Sequence, residues 1–135
     1  MNFISVRIIT ADLPRLVAFY ELVTGMTAER PALVFAEFRT AVGTLAIGAT
    51  ATLALFGGDA VAQAAANRSA IIEFQVEDVD ADFERLKGEL GEALVQVPTT
   101  MPWGNRSLLF RDPDGNLVNL FTPVTPEAIQ KFARS

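Results

Sequence analysis

The sequence predicts an α+β domain made of two copies of one strand–helix–three-strand unit, βαβββ. Three observations predict it. A period-two apolar strand gives way to a 3.6-period helix near the N-terminus, and the same switch recurs at "AIIEFQVEDVDADFERL". Each helix begins behind an aspartate, Asp12 in the first copy and Asp78 in the second. Each copy also ends in a related hairpin, "FRTAVGTL" over "FRDPDGNL".

The elements follow in order. In "FISVRII", Ile4, Val6 and Ile8 alternate with Ser5 and Arg7, the pattern of a half-buried strand. Asp12 caps a helix with Leu13, Leu16, Val17, Tyr20 and Val23 at helical spacing. Pro14 lies in its first turn and Gly25 ends it. Strands are expected at about 33–39, 44–47 and 52–56. Aligning Asp12 with Asp78 pairs Val6 with Ile72 and Ile8 with Phe74. The second helix then carries Val79, Phe83, Leu86 and Leu90 along its apolar stripe. The single domain, 1–135, thus divides into a first unit (1–58), an Ala-rich connector (59–69), a second unit (70–122) and a C-terminal helix (123–135). That helix is capped by Thr125, with Pro126 at its first position.

Composition removes whole classes of chemistry. The 135 residues contain no Cys, so disulfides, zinc knuckles and thiol nucleophiles are excluded. They contain no His, which removes the commonest metal ligand and general base. Net charge is −5 with no basic cluster, so no nucleic-acid partner is expected. Half the residues are apolar and mean hydropathy is +0.30, an excess that points to a buried self-interface. The uncharged run "TAVGTLAIGATATLALFGG" is long enough to span a bilayer, but its glycines, threonines and small residues read as short strands and a turn. With no signal peptide pattern, a cytoplasmic protein without a membrane partner is the expectation.

Paired βαβββ units, an Asp-capped helix containing "AFYE" and the closing "WGNRSLLFRDPDGNLVNLF" together resemble the vicinal oxygen chelate superfamily. This group comprises glyoxalase I, extradiol dioxygenases and bleomycin-resistance proteins. The resemblance implies sheets curled around a cleft, a cleft completed by a homodimer partner in small members, and a metal on His, Gln or Glu in the enzymes. The family's first ligand lies seven residues before each capping Asp, here Ser5 and Ile71. Its last-strand carboxylate lies four residues after the turn glycine Gly115, here Asn119, and the remaining position falls near Ala54. A hydroxyl, an alkyl chain, an amide and a methyl group are not the imidazole, thiolate or carboxylate that divalent transition metals want, so no metal and no cofactor are expected.

Strand alternation places Arg7 beside Ser5, and Glu73 beside Ile71, on the face of those lost ligands, with Phe121 beside Asn119. Arg7 and Glu73 are equivalent under the duplication, and either an ion pair between them or a ligand-facing carboxylate fits. Trp103, the only tryptophan, could stack on a planar ligand or pack at a rim, and Arg106 could anchor an anion or pair with an acid. Phe38, Phe110 and Phe121 fit the core more readily than a binding wall, though Phe38 and Phe121 stay among the cleft candidates, while the aspartates of "DPDG" read as turn residues. The functional expectation is a metal-free, bleomycin-resistance-like protein that sequesters a bulky, cationic or aromatic small molecule. The alternatives are a glyoxalase-, lyase- or dioxygenase-like enzyme with unconventional or no metal ligands, and a dimeric interaction module.

Overall fold

The computed structural model describes residues 1–133, which form an α+β fold of two βαβββ-type units. One compact unit comprises Met1–Asn67 with the turn Pro113–Gly115, and the other Arg68–Asp112 with the chain from Asn116 onward. The first unit contains β1 (Ser5–Thr10), α1 (Leu13–Thr24), β2 (Glu29–Ala32), β3 (Phe35–Arg39) and β4 (Thr44–Ala49). The second contains β5 (Ile71–Gln75), α2 (Val79–Leu90), β6 (Leu94–Thr100), β7 (Asn105–Arg111), β8 (Leu117–Pro123) and α3 (Pro126–Phe132). Residues 134 and 135 of the expected C-terminal helix lie outside the described residues.

Each unit makes one mixed four-stranded sheet, in the order β1-β4-β3-β2 or β5-β8-β7-β6. The first strand runs parallel to the last, so the helix must cross over between them, and the other pairings are antiparallel. The caps are as the sequence places them. Asp12 accepts from the Arg15 amide at 3.2 Å, Asp78 from Ala81 at 3.1 Å and Thr125 from Ala128 at 3.3 Å. Gly25 closes α1 at φ 70°, a left-handed conformation that glycine adopts without steric penalty.

In the first unit Leu16, Val17, Tyr20 and Val23 of α1 are buried with Ala36, Phe38, Leu45 and Ile47 of the sheet. In the second, Val79, Leu86 and Leu90 of α2 are buried, as are Leu108, Phe110, Val118 and Leu120. The first strands take less part in this than their alternation suggests. Ile4 and Val6 remain 68% and 49% exposed, because β1 is an edge strand and α1 packs on β4.

Two expected strands change. The predicted strand at 33–39 is β3 preceded by an exposed turn at Leu33 and Val34, and β2, which the sequence reading missed, lies before that turn. The predicted strand at 52–56 is instead a 3-10 helix over Thr50–Phe56, so Ala54 lies on no strand. Nothing pairs with this segment because β4 already has neighbours on both sides, β1 and β3. The uncharged run is therefore β4 plus 3-10 turns, and no helix among the described residues is long and apolar enough to cross a membrane.

Gly104 tests how β7 and α3 are joined. Its φ is +95°, its carbonyl accepts from the Val124 amide at 2.8 Å, and an added Cβ would strike Thr125 Oγ1 and come within 2.9 Å of Ala128 Cβ. Gly104→Ala should destabilise the protein by about 2 kcal/mol or more, through backbone strain and displacement of the α3 cap. Asp78→Ala should cost about 1 kcal/mol as a lost N-cap. Urea unfolding of both variants checks this order, and a smaller effect at Gly104 would contradict the packing.

Candidate functional site

Ser5, Arg7, Ile71, Glu73, Asn119 and Phe121 sit on the sheet faces turned away from α1 and α2, and strand register decides which of them share a row. In the second unit Glu73 lies opposite Asn119, which lies opposite Leu109. Ile71, Leu117 and Arg111 form one neighbouring row, and Gln75, Phe121 and Ser107 the other. Asn119 is only 8% exposed, and its Nδ2 donates to Glu73 Oε2 at 2.9 Å. A carboxylate oxygen accepts, so the amide must turn its NH2 to Glu73. Asn119 Oδ1 then points away, buried and without a hydrogen-bond partner. An unfilled buried acceptor is uncommon in folded proteins and asks for an explanation. Glu73 itself is exposed, so a carboxylate oxygen and an amide oxygen stand together on one row.

In the first unit the equivalent row is Arg7, Ala46 and Glu37. Arg7 has its guanidinium carbon 5.5 Å from the Phe35 ring centroid and 5.6 Å from that of Phe56. Each of the two duplicated charges thus has a neighbour within its own unit, aromatic for Arg7 and an amide for Glu73. Ser5 is exposed at the start of β1 opposite Thr44, and Ile71 is 53% exposed at the start of β5 opposite Leu117.

Four sequence-based assignments need correction. Phe38 belongs to the core: it is fully buried and its ring centroid lies 6.1 Å from that of Tyr20 in α1. Alternation along β3 puts Phe35 and Glu37, not Phe38, on the candidate face. Arg106 shares its face with Leu108 and Phe110 and turns to α2, where Nε meets Asp80 Oδ2 at 2.9 Å and Nη2 meets Oδ1 at 3.1 Å. The hydrogen bond to Asp80 raises the arginine's pKa above its ordinary value; desolvation opposes this and the Asp80 charge adds to it. Phe121 is on the expected face but buried, its ring centroid 5.1 Å from Phe132 of α3.

The fourth correction concerns Ala54. Ser5 pairs with Thr44 as Ile71 pairs with Leu117, so the third residue of β4, Ala46, is the structural counterpart of Asn119. The two hairpin loops differ by one residue, 40–43 against 112–116, which shifts the ungapped sequence alignment by one. The side chain at that position is a methyl group either way. Trp103 stays in the turn before β7 and is 67% exposed. Phe35, Phe56 and Leu109 were not singled out from sequence, since only the strand register brings them into these rows.

The positions that the family resemblance assigns to metal ligands hold Ser5 and Ala46 in the first unit and Ile71 and Asn119 in the second. Among the described residues no group of three or more His, Cys, Asp or Glu side chains is placed to hold an ion. Such a donor set does not fit a divalent transition metal, which takes imidazole, thiolate or carboxylate ligands.

Asn119→Asp tests this row. It replaces the donor facing Glu73 with a second acceptor, and two adjacent carboxylates hold one proton between them, raising the folded-state pKa of the pair. The variant should lose about 1–3 kcal/mol at neutral pH. Because the folded pKa is raised, the loss should shrink as pH falls toward the ordinary carboxylate range and grow as pH rises. Thermal unfolding across pH checks this, and a flat profile would remove Asn119 from contact with Glu73.

The family model of the Glyoxalase/Bleomycin resistance protein/Dioxygenase superfamily matches residues 2–120. A glyoxalase/bleomycin resistance protein/dioxygenase from Nocardioides is similar in fold, with TM-score 0.73 and 23% identity over 93% of this chain and 85% of that one. A family enzyme from Burkholderia phytofirmans PsJN superposes with TM-score 0.78 at 18% identity, covering 92% and 100%. TioX from Micromonospora sp. ML1 gives 0.67 at 24% identity, covering 92% and 100%. No curated protein matches the chain. The family match over most of the sequence agrees with the duplicated βαβββ architecture, and the chain belongs to the glyoxalase/bleomycin resistance protein/dioxygenase superfamily.

Proposed function

We propose that the protein is a metal-free small-molecule binder of the bleomycin-resistance type, which sequesters a bulky, cationic or aromatic ligand rather than transforming it. The observation that carries this reading is the Glu73–Asn119 row. Asn119 Nδ2 donates to Glu73 Oε2 at 2.9 Å and so orients an exposed carboxylate on this face. That carboxylate selects a ligand bearing N–H or O–H donors and favours a cationic one. Ile71, Leu109 and Leu117 supply apolar surface on the same face, the usual mixture of a ligand site. The exposed Trp103 ring is available for stacking on a planar group. The net charge of −5 would favour a cation's approach at long range.

The same reading takes the protein as a homodimer. Val6 of β1 and Ile71 of β5 are exposed, as is Ile4 just before β1, and each of these strands is an edge of its own sheet. Light scattering on the eluted protein should give twice the chain mass, and a monomer at micromolar concentration would remove the dimer.

Calorimetry with a cationic glycopeptide antibiotic and with planar aromatic amines tests the binding. Glu73→Gln should weaken a cationic ligand by about tenfold or more, the loss expected for a hydrogen bond to a charged group. Equal affinities would exclude Glu73 from the site. Stoichiometric Zn, Ni, Mn or Fe in untagged protein, with turnover of an α-keto or catechol substrate, would favour an enzyme instead.

A further inference from the structure

We propose that Arg7 is an oxyanion-binding group, forming in the first unit a site for a ligand carboxylate or phosphate. The site involves no residue of the Glu73–Asn119 row and stands or falls independently of it.

The first argument is the arginine's missing partner. Arg30, Arg39, Arg85 and Arg106 form ion pairs with Glu21, Glu29, Asp82 and Asp80. Among the described residues, Arg7 makes no ion pair and no side-chain hydrogen bond, although the chain carries 16 acidic residues against 11 basic ones. Carboxylates are not scarce, so the vacancy is local.

The second argument is how the side chain is held. Phe35 and Phe56 both lie in cation–π contact with the guanidinium, which remains part of an exposed residue. An aromatic ring offers no oxygen acceptor, so these contacts leave the N–H edge of the planar group without a hydrogen-bond partner. That edge matches two oxygens of a carboxylate or phosphate in a bidentate fork. Gly48 keeps the path open. A Cβ there would come within 3.2 Å of Arg7 Cδ and 2.8 Å of Thr52 Oγ1. Thr52 is itself pinned by its hydroxyl donating to the Ala49 carbonyl at 2.7 Å. The arginine is thus ordered by folding, which lowers the entropy lost when it binds.

Glu37 is the competing acid. It shares Arg7's row on the far side of Ala46, about two strand spacings away, and the two form no ion pair. It is too far to neutralise Arg7 directly but close enough to disfavour an arriving anion.

The experiment follows the Arg7 Nε–Hε resonance of the full chain by NMR at low salt, while acetate, benzoate and inorganic phosphate are added separately. A saturable shift with a dissociation constant on the order of 1 mM is expected for at least one of them. Tighter binding of benzoate than of phosphate would assign the site to carboxylates that lie along the rings, and the reverse would assign it to phosphates. Arg7→Lys keeps the charge but loses the flat fork and, followed through the neighbouring Gly48 backbone amide because lysine lacks the Nε–Hε signal, should weaken binding about tenfold. Phe56→Leu, at a ring that is 59% exposed and so tolerant of change, should weaken it several-fold. Glu37→Gln should strengthen it. Shifts that stay linear in anion concentration, or that are the same in Arg7→Lys and Phe56→Leu, would overturn the proposal and leave Arg7 a packing residue. Glu73→Gln should not alter these titrations, so failure here is separable from failure of the proposed ligand reading.

Discussion

The parallel pairing of first and last strands is the constraint on which each unit depends. A parallel neighbour cannot be reached by a tight turn, so the chain must cross over through a helix, and α1 and α2 are those crossovers. The pairing also sets register. Once Ser5 stands opposite Thr44 and Ile71 opposite Leu117, every later row is determined, because a one-residue slip would turn the core side chains outward. The buried residues of β3 and β4, and of β7 and β8, leave no room for such a slip. Core packing therefore dictates that Glu73 meets Asn119 and that Arg7 meets Ala46.

The duplication makes the divergence of these two rows informative. Both occupy the same place in the same scaffold, so their differences are not imposed by the fold. In the second unit a carboxylate and an amide satisfy each other in part, leaving one amide oxygen buried without a partner. In the first, the amide's counterpart is a methyl group, and the charged residue turns to aromatic rings. A buried polar atom without a partner is unfavourable by about 1–3 kcal/mol. A purely structural residue at 119 could be apolar, as Ala46 is.

Much of the fold was legible because its determinants are local. Capping aspartates, the Gly25 terminator and the apolar stripes act within one or two turns of chain, and they placed α1 and α2 correctly. The misread parts depend on distant partners. Thr50–Phe56 has the composition of a strand, but β4 has no free edge for it to join. For Phe38 and Arg106 the sequence leaves two readings open, because alternation within a strand does not say which face meets the helix. That is settled by Tyr20 for Phe38 and by Asp80 for Arg106. Ala54 holds the fourth position only if 52–56 is the last strand of the first unit; that segment is a 3-10 helix, so β4 is the last strand and Ala46 takes the place.

Some properties of these rows do not depend on register at all. Ligand chemistry is a property of residue type, and a chain without His or Cys has few ways to build a transition-metal centre wherever its strands fall. Moving the fourth position from Ala54 to Ala46 changed the geometry and left the chemistry alone. The clamp around Arg7 is the opposite case. Phe35, Gly48, Thr52 and Phe56 are unremarkable as residue types, and none marks a site by itself. They become one only because β3 places Phe35 opposite Gly48, and the 3-10 segment returns Thr52 and Phe56 over the same strand. What this scaffold retains for ligands is therefore carried less by conspicuous side chains than by the pairing that assembles ordinary ones.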